Sequence, residues 1–370
     1  MSVRDLLLDV AQTALRLFPW PTETGLRRLG NPGPESPVLI TCNYDLTVRR
    51  LLRTLVGVDA WLVVAPSGGI NVWCAAAGGV LASNHVITAL KTSGITDKVH
   101  HRRAIMPQLA ATGVIASEVS RRSGWKLRFG PVYAEDIPRY IAANMQKDDS
   151  MRRVHFGPRE RFEMACAWAS PTSVIAALVL CFVNPTWILP VIAQAWAMSL
   201  GIFFVYDRLG HGRWFLAWST ALTVSLLVAL LAGAQTTALI AAAITATVIL
   251  TVLTFDFAGS TPIEGGSHFE SKAWDITLDL DRCVGVYSCW AVCPEACFEK
   301  IEQTRKVELA HDDRCIKCGA CVVQCPQDAL SFTAEDGRRI EPETIRRYKL
   351  NLLGTRGVDT GKAEDASSSI

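Results

Sequence analysis

Two constellations in this chain have the residue types and spacing to do chemistry. The first is Cys315-x2-Cys318-x2-Cys321-x3-Cys325-Pro326. Thiolates at this spacing wrap one face of an iron–sulfur cubane, and the fourth cysteine of the run ligates a neighbouring cluster. The run is the second half of an internal repeat: Asp281-Arg282-Cys283 matches Asp313-Arg314-Cys315, Cys289 matches Cys321, and Cys293-Pro294 matches Cys325-Pro326. One [4Fe-4S] cluster is expected on Cys315, Cys318, Cys321 and Cys293. A second is expected on Cys283, Cys289 and Cys325. Its fourth position is Val286, where the repeat demands Cys. Three thiolates suit a [3Fe-4S] cluster, or a [4Fe-4S] cluster with a non-cysteine ligand; Cys297, four residues past Cys293, is the other thiol within reach.

The second constellation is Cys74, a lone cysteine in the apolar run Asn71-Val72-Trp73-Cys74-Ala75-Ala76-Ala77, flanked by Gly69 and by Gly78-Gly79. Read alone, such a cysteine is a small buried hydrophobe, Trp73 a core residue and Asn71 a helix cap. Its position changes the weighting. It directly follows a strand-type run, Ala60 to Val64, and open α/β sheets bind their ligands at the carboxyl ends of strands.

The elements that must carry these residues fall into three parts. Residues 1–160 open with a short amphipathic helix (Met1 to Trp20) and a Gly/Pro loop at residues 30–34. Four strand-type runs then begin at Pro37, Ala60, Ala104 and Lys126, and helical runs begin at Leu46, Val86, Val114 and Ala134. This alternation predicts a doubly wound, Rossmann-like parallel sheet. Residues 161–256 contain two stretches without a charge or histidine, Met164–Tyr206 and Trp214–Phe255, of 43 and 42 residues. A membrane span takes about 20 apolar residues, so each stretch accommodates two spans around a turn (Asn184-Pro185-Thr186 and Gly233-Ala234-Gln235). The expectation is a four-helix transmembrane domain in the inner (cytoplasmic) membrane. Arg152, Arg153, Arg159, Arg161, Arg208 and Arg213 place the charged segments, and with them both soluble domains, in the cytoplasm. Asn184 and Gln194 within this block read as turn caps or interhelical hydrogen-bonding groups. A polar linker (257–275), a dicluster ferredoxin domain of α+β type (276–335) and a tail (336–370), disordered in part, complete the chain.

Composition narrows the function class. Net charge is +2 from 37 basic and 35 acidic residues, which excludes a strongly basic nucleic-acid binder. Eight of the twelve cysteines lie between Cys283 and Cys325 at ligand spacing, arguing for a reducing compartment over a disulfide framework. Cys42, Cys166 and Cys181 read as packing residues, His100-His101 as a solvated turn, and Ser67-Gly68-Gly69 as a turn lacking the lysine of a phosphate loop.

Asn71-Val72-Trp73-Cys74-Ala75-Ala76 resembles the cap-helix signature of the mercury-methylating corrinoid proteins, the HgcA family. His101-Arg102-Arg103, Met106-Pro107-Gln108-Leu109, Gly130-Pro131-Val132, Met151-Arg152-Arg153-Val154 and Phe257-Ala258-Gly259-Ser260-Thr261 extend the likeness. The C-terminal part is similar to the family's dicluster ferredoxin partner, HgcB, so the chain looks like a fusion of the two. Its corrinoid domain is also similar to that of the corrinoid iron–sulfur protein of the acetyl-CoA pathway. The resemblance implies a cobalamin-type corrinoid with Cys74 as its lower axial cobalt ligand and catalytic residue. Asn71, Val72, Trp73, Ala75 and Ala76 would shape the cap over the corrin, and Gln108 would meet the corrinoid tail. It implies a methyl-donor protein or methyltetrahydrofolate-type donor, a low-potential electron donor, and Hg(II) or another soft methyl acceptor. Three features depart from the pattern: Ala77 and Gly78 stand where the family has Gly and Lys, Val286 replaces a cluster ligand, and no cysteine follows Cys325, where the family's ferredoxin carries a cysteine pair. The expected function is a membrane-anchored corrinoid-dependent methyltransferase whose own ferredoxin reduces the cobalt. The alternatives are a corrinoid methyl carrier of one-carbon metabolism and a membrane iron–sulfur electron-transfer protein.

Overall fold

The computed structural model describes residues 3–205, 214–231, 236–256, 274–334 and 337–348. The chain divides into two compact units: residues 3–18 with the helices between 158 and 256, and residues 19–154 with 274–348. The opening helix α1 (Val3–Ala14) thus groups with the later helices. The sequence boundaries had placed it with the α/β sheet.

The second unit begins with a five-stranded sheet. It contains β1 (Gly25–Leu29), β2 (Val38–Cys42), β3 (Ala60–Ala65), β4 (Arg103–Met106) and β5 (Lys126–Phe129), in the order β1-β3-β2-β4-β5. Strands β2 to β5 are parallel, and β1 adds to β3 as an antiparallel edge. The helices α2 (Asp45–Thr54), α3 (Val72–Ala77), α4 (Ser83–Thr92), α5 (Ala116–Ser123) and α6 (Ile137–Ala142) fill the crossovers. Strand β2 is buried at all five positions and β3 at five of six. A parallel strand covered on both faces is apolar throughout, which is why Val38–Cys42 and Ala60–Ala65 stand out in the sequence. Strand β1, by contrast, is Gly-Leu-Arg-Arg-Leu on an edge; two arginines and no alternation hide it in what reads as a loop.

In the same unit, the C-terminal segment has a three-stranded sheet, β10-β9-β6, and a hairpin, β7-β8. Its elements are β6 (Asp275–Leu278), α11 (Ser288–Val292), β7 (Phe298–Ile301), β8 (Lys306–Leu309), α12 (Ala320–Gln324), β9 (Leu330–Thr333), β10 (Arg339–Ile340) and α13 (Pro342–Tyr348). The two short helices follow the repeat, each preceding a Cys-Pro pair. Residues 339–348 belong to this fold, with Arg346 donating to the carbonyls of Val323 and Cys325 and to Asp328. The linker from 257 to 273 and the tail beyond 348 lie outside the described residues.

The first unit holds α7 (Pro158–Val183), α8 (Ile188–Val205), α9 (Trp214–Leu231) and α10 (Thr236–Asp256). Pro171 sits inside α7, and Asn184 caps the turn to α8 by accepting from Thr186 N at 3.1 Å. Gln194 is buried. Buried Glu163 accepts from Arg16 at 2.6 Å and from Arg159 at 3.1 Å, tying α1 to the start of α7. Among the described residues, two helices, Pro158–Val183 and Pro185–Phe204, are long and apolar enough to cross a membrane, against the four spans expected from hydropathy.

Candidate functional site

Strand β3 ends at Ala65, and the chain turns through Ser67, Gly68 and Gly69 into α3. The turn is pinned by Asn43, at the carboxyl end of the neighbouring β2. Its Oδ1 accepts from Ser67 N at 2.8 Å, Ser67 Oγ at 2.9 Å and Gly69 N at 3.0 Å. Asn71 then caps α3: its Oδ1 accepts from Cys74 N at 3.0 Å, and its Nδ2 donates to Cys74 Sγ at 3.4 Å. Such a cap stabilises a helix start by about 1 kcal/mol. Here it also fixes the direction of the thiol. On α3, Val72, Trp73, Ala75, Ala76 and Ala77 are buried, while Asn71 and Cys74 are half-buried. The thiol is therefore the reactive group that the motif leaves accessible. Trp73, expected over a corrin, is buried in the fold with only 8% of its surface exposed.

Against α3 packs a 3-10 turn, Gln108–Thr112, which follows the carboxyl end of β4. The approach is close: a Cβ on Gly113 would lie 2.4 Å from the Ala76 carbonyl oxygen, so only glycine fits there. Among the described residues, buried Thr112 Oγ1 on this turn has no hydrogen-bond partner. The half-buried thiol and this buried hydroxyl both lie at the carboxyl edge of the sheet, where a thiol and a polar donor suit a metal-bearing organic cofactor.

Gln108, which the resemblance sets at the corrinoid tail, has its amide bonded within the protein. It is 1% exposed, and its Nε2 donates to the carbonyls of Arg152 (2.7 Å) and Cys293 (3.2 Å). Its Oε1 accepts from Lys147 Nζ at 2.6 Å. Its amide is thus consumed where the C-terminal segment docks on the α/β domain. Sequence reasoning missed this docking set. Lys147 also donates to Ala291 O at 2.7 Å; Arg152, 4% exposed, donates to Trp290 O and Phe298 O and stacks 4.5 Å from the Trp290 ring. Gln324 donates to Ala111 O and Val114 O at 2.7 Å and accepts from Ala116 N. Buried Arg152 and half-buried Lys147 are satisfied by hydrogen bonds to carbonyl and amide oxygens. The partners are far apart in sequence, so no local pattern announces them.

The cysteines sort into two cavities of about 320 and 350 Å³ of empty space. The first, the four-cysteine cavity, is named for Cys293, Cys315, Cys318 and Cys321 and is lined by Cys297 as a fifth; the second is lined by Cys283, Cys289, Cys325 and Val286. Cys297 joins the first set, and Val286 stands on the wall of the second, at the position where the repeat calls for a cysteine. Gly285 makes that loop possible: it has φ +69°, and a Cβ would lie 1.6 Å from the Arg305 carbonyl oxygen. Burial pushes the Cys289 thiol up to about 12 and raises Cys318 and Cys321. Cys293 and Cys315 are lowered because the Cys297 thiol hydrogen-bonds to both. Among the described residues no three His, Cys, Asp or Glu converge on a single ion. Sulfurs spread around a cavity instead suit a polynuclear cluster, whose iron keeps each thiolate deprotonated. Of the remaining sequence candidates, Cys42 is fully buried with its thiol raised by desolvation, His100 meets Glu35 at 3.2 Å on the surface, and His101 bonds Ser36 O.

Comparison with known proteins agrees with both halves of this unit. Residues 311–331 match the 4Fe-4S binding domain family. Residues 16–141 match the family described as CO dehydrogenase/acetyl-CoA synthase delta subunit. Similar curated proteins are the acetyl-CoA decarbonylase/synthase complex subunit gamma of Methanopyrus kandleri and that of Archaeoglobus fulgidus. The first is 33% identical over 125 residues (33% of this chain, 27% of the relative). The second is 33% identical over 128 residues (34% and 27%). The subunit of Methanocaldococcus jannaschii is 32% identical over 131 residues (35% and 26%). The chain spans about a quarter of the length of these relatives.

Lys147 gives the docking contact a pH dependence. Burial, then the neighbouring Arg152, push its ammonium from 10.5 down to about 7. Between these values the unfolded chain holds the proton and the folded chain does not, so stability rises with pH across the window and falls as pH drops towards 7. Thermal unfolding followed at pH 7 and pH 9.5 is expected to show this rise, and Lys147→Met to flatten it.

Proposed function

We propose that the chain is a membrane-anchored, corrinoid-dependent methyltransferase whose C-terminal ferredoxin segment supplies its reducing electrons. The observation that carries this reading is that the half-buried Cys74 thiol and the four-cysteine cavity flank the same turn, Gln108–Thr112, within one compact unit. A bound corrinoid supplies a cobalt that takes up and releases a methyl group and must be kept reduced. Asn71 orients the Cys74 thiol that would hold its cobalt, the Asn43-Ser67-Gly69 network holds the loop before it, and Gly113 brings the 3-10 turn against α3. An electron-rich thiolate would make the bound methyl group easier to pass to a soft electrophile. One cluster is assigned to Cys293, Cys315, Cys318 and Cys321. The second is assigned to Cys283, Cys289 and Cys325 beside Val286.

A four-span anchor is part of the proposal. Its support is the two charge-free stretches and helices that are apolar all round, with Ile175, Leu178, Phe182, Leu189, Leu231 and Ile244 exposed on them. Flanking arginines put the second unit on the cytoplasmic side.

The acceptor follows from the cap segment's likeness to the mercury-methylation family: Hg(II), as substrate. A second reading keeps the corrinoid and changes the acceptor, making the chain a methyl carrier of one-carbon metabolism. Gly78 in place of a family lysine and the similarity to acetyl-CoA decarbonylase/synthase subunits favour it. The test is anaerobic. The detergent-solubilised full chain is loaded with methylcobalamin and given Hg(II), and methylmercury is quantified against free methylcobalamin. Formation faster than the free cofactor is expected. Retained corrinoid without acceleration favours the second reading, and no retained corrinoid leaves an electron-transfer protein.

A further inference from the structure

The two cysteine cavities are not equivalent in the docked unit. Ala111 and Phe129 of the α/β domain pack against Val292, Ala320 and Cys318, and the Gln108 amide sits on the Cys293 carbonyl. Both Cys318 and Cys293 line the four-cysteine cavity. Lys147, cationic below about pH 7, and Arg152 reach the carbonyls of residues 290, 291 and 298 around it, and Val154 N donates to Pro294 O at 2.8 Å. Residues of the C-terminal segment line both cavities; the α/β contacts fall on Cys318 and Cys293 of the first, while the second presents Val284 and Val286, 59% and 55% exposed.

We propose that Gln108, Lys147, Arg152 and Gln324 are positioning residues that fix the ferredoxin segment in one orientation, making the four-cysteine site the electron outlet to the α/β domain and the Val286 site the inlet. The inference rests on the reading of the cysteines as cluster ligands, and on the corrinoid reading only for the identity of the final acceptor. The balance is one electron. A low-potential one-electron donor, such as a reduced ferredoxin- or flavodoxin-class protein, would be oxidised by one electron at the site of Cys283, Cys289 and Cys325. The electron would pass to the site of Cys293, Cys315, Cys318 and Cys321 and from there reduce the acceptor on the α/β domain. No bond forms and no proton moves. The orientation is over-determined, with Gln324 clamping one side of the contact through three hydrogen bonds and Gln108, Lys147 and Arg152 the other. A cation fixed near a cluster favours the added electron, and more so in a site of low dielectric constant.

The experiment is a potentiometric titration of the full-length protein at pH 6, where folded Lys147 holds its proton, after anaerobic purification without added corrinoid and followed by electron paramagnetic resonance. Val286→Cys assigns the signals, because it alters the inlet cluster alone. Lys147→Met is expected to shift the four-cysteine midpoint to more negative potential and Gln108→Leu to shift it as well, each leaving the Val286-site midpoint in place. Lys147→Arg restores the charge and the wild-type midpoint. Should Gln108→Leu fail to fold, Gln324→Ala perturbs the same contact from its other side and is expected to move the same signal. No shift in any folded variant, or a shift confined to the Val286-site signal, overturns the assignment. The titration contains no corrinoid, so a chain that binds no cobalt still decides it.

Discussion

Replacing Cys74 with alanine is expected to reduce methyl transfer by at least about 100-fold, on the order of 3 kcal/mol of transition-state stabilisation, while the fold stays intact. Both parts follow from the geometry of α3. The Cys74 side chain is half-buried and contributes little to the core, whereas its neighbours Val72, Ala75 and Ala76 are buried. The helix cap bonds the Cys74 backbone N–H, which the substitution keeps. What disappears is the thiol that Asn71 Nδ2 orients. Circular dichroism and iron content should therefore match the parent while transfer, measured under single-turnover conditions, collapses. Transfer retained in Cys74→Ala would mean that this thiol does not serve the chemistry.

The second large effect is expected at Cys318. Its thiol lines the four-cysteine cavity and packs against Ala111, Val292 and Ala320. Cys318→Ala should release one cluster, about half of the bound iron for a dicluster segment. It should also lower the thermal transition of the unit, because cluster binding energy is folding energy for a segment this small. Cys293→Ala is expected to lose less. The Cys297 thiol is 1% exposed, lines the same cavity and lies within hydrogen-bond reach of both Cys293 and Cys315, where it can take up the vacated iron. Iron per chain and differential scanning calorimetry on the two variants separate these outcomes. Equal iron loss from both would show that Cys297 does not substitute.

Much of this arrangement is legible in the sequence where one physical constraint dominates a short stretch. The parallel strands β2 and β3 show because strands buried on both faces must be apolar at nearly every position. The two cavities show because the ligand spacing repeats, and Val286 shows as the gap in that repeat. Asn71 is readable as a cap. Strand β1 does not show, since an edge strand paired on one side tolerates Arg27 and Arg28. The docking set does not show either. Gln108, Lys147, Arg152 and Gln324 are ordinary polar residues whose partners lie as far as 213 positions away in the chain. For the same reason Gln108 carries a motif likeness that points to a ligand while its amide serves the interface. The helical block reads clearly in composition, yet among the described residues two helices rather than four meet the length and hydropathy of a span.

The central claim is that the Cys74 sulfur is the group that meets cobalt. The most direct measurement is cobalt K-edge X-ray absorption on the corrinoid-loaded full-length protein beside its Cys74→Ala variant. A sulfur scatterer in the cobalt shell of the parent, replaced by oxygen or nitrogen in the variant, is the predicted result. A cobalt shell of nitrogen and oxygen alone in the parent would contradict the assignment.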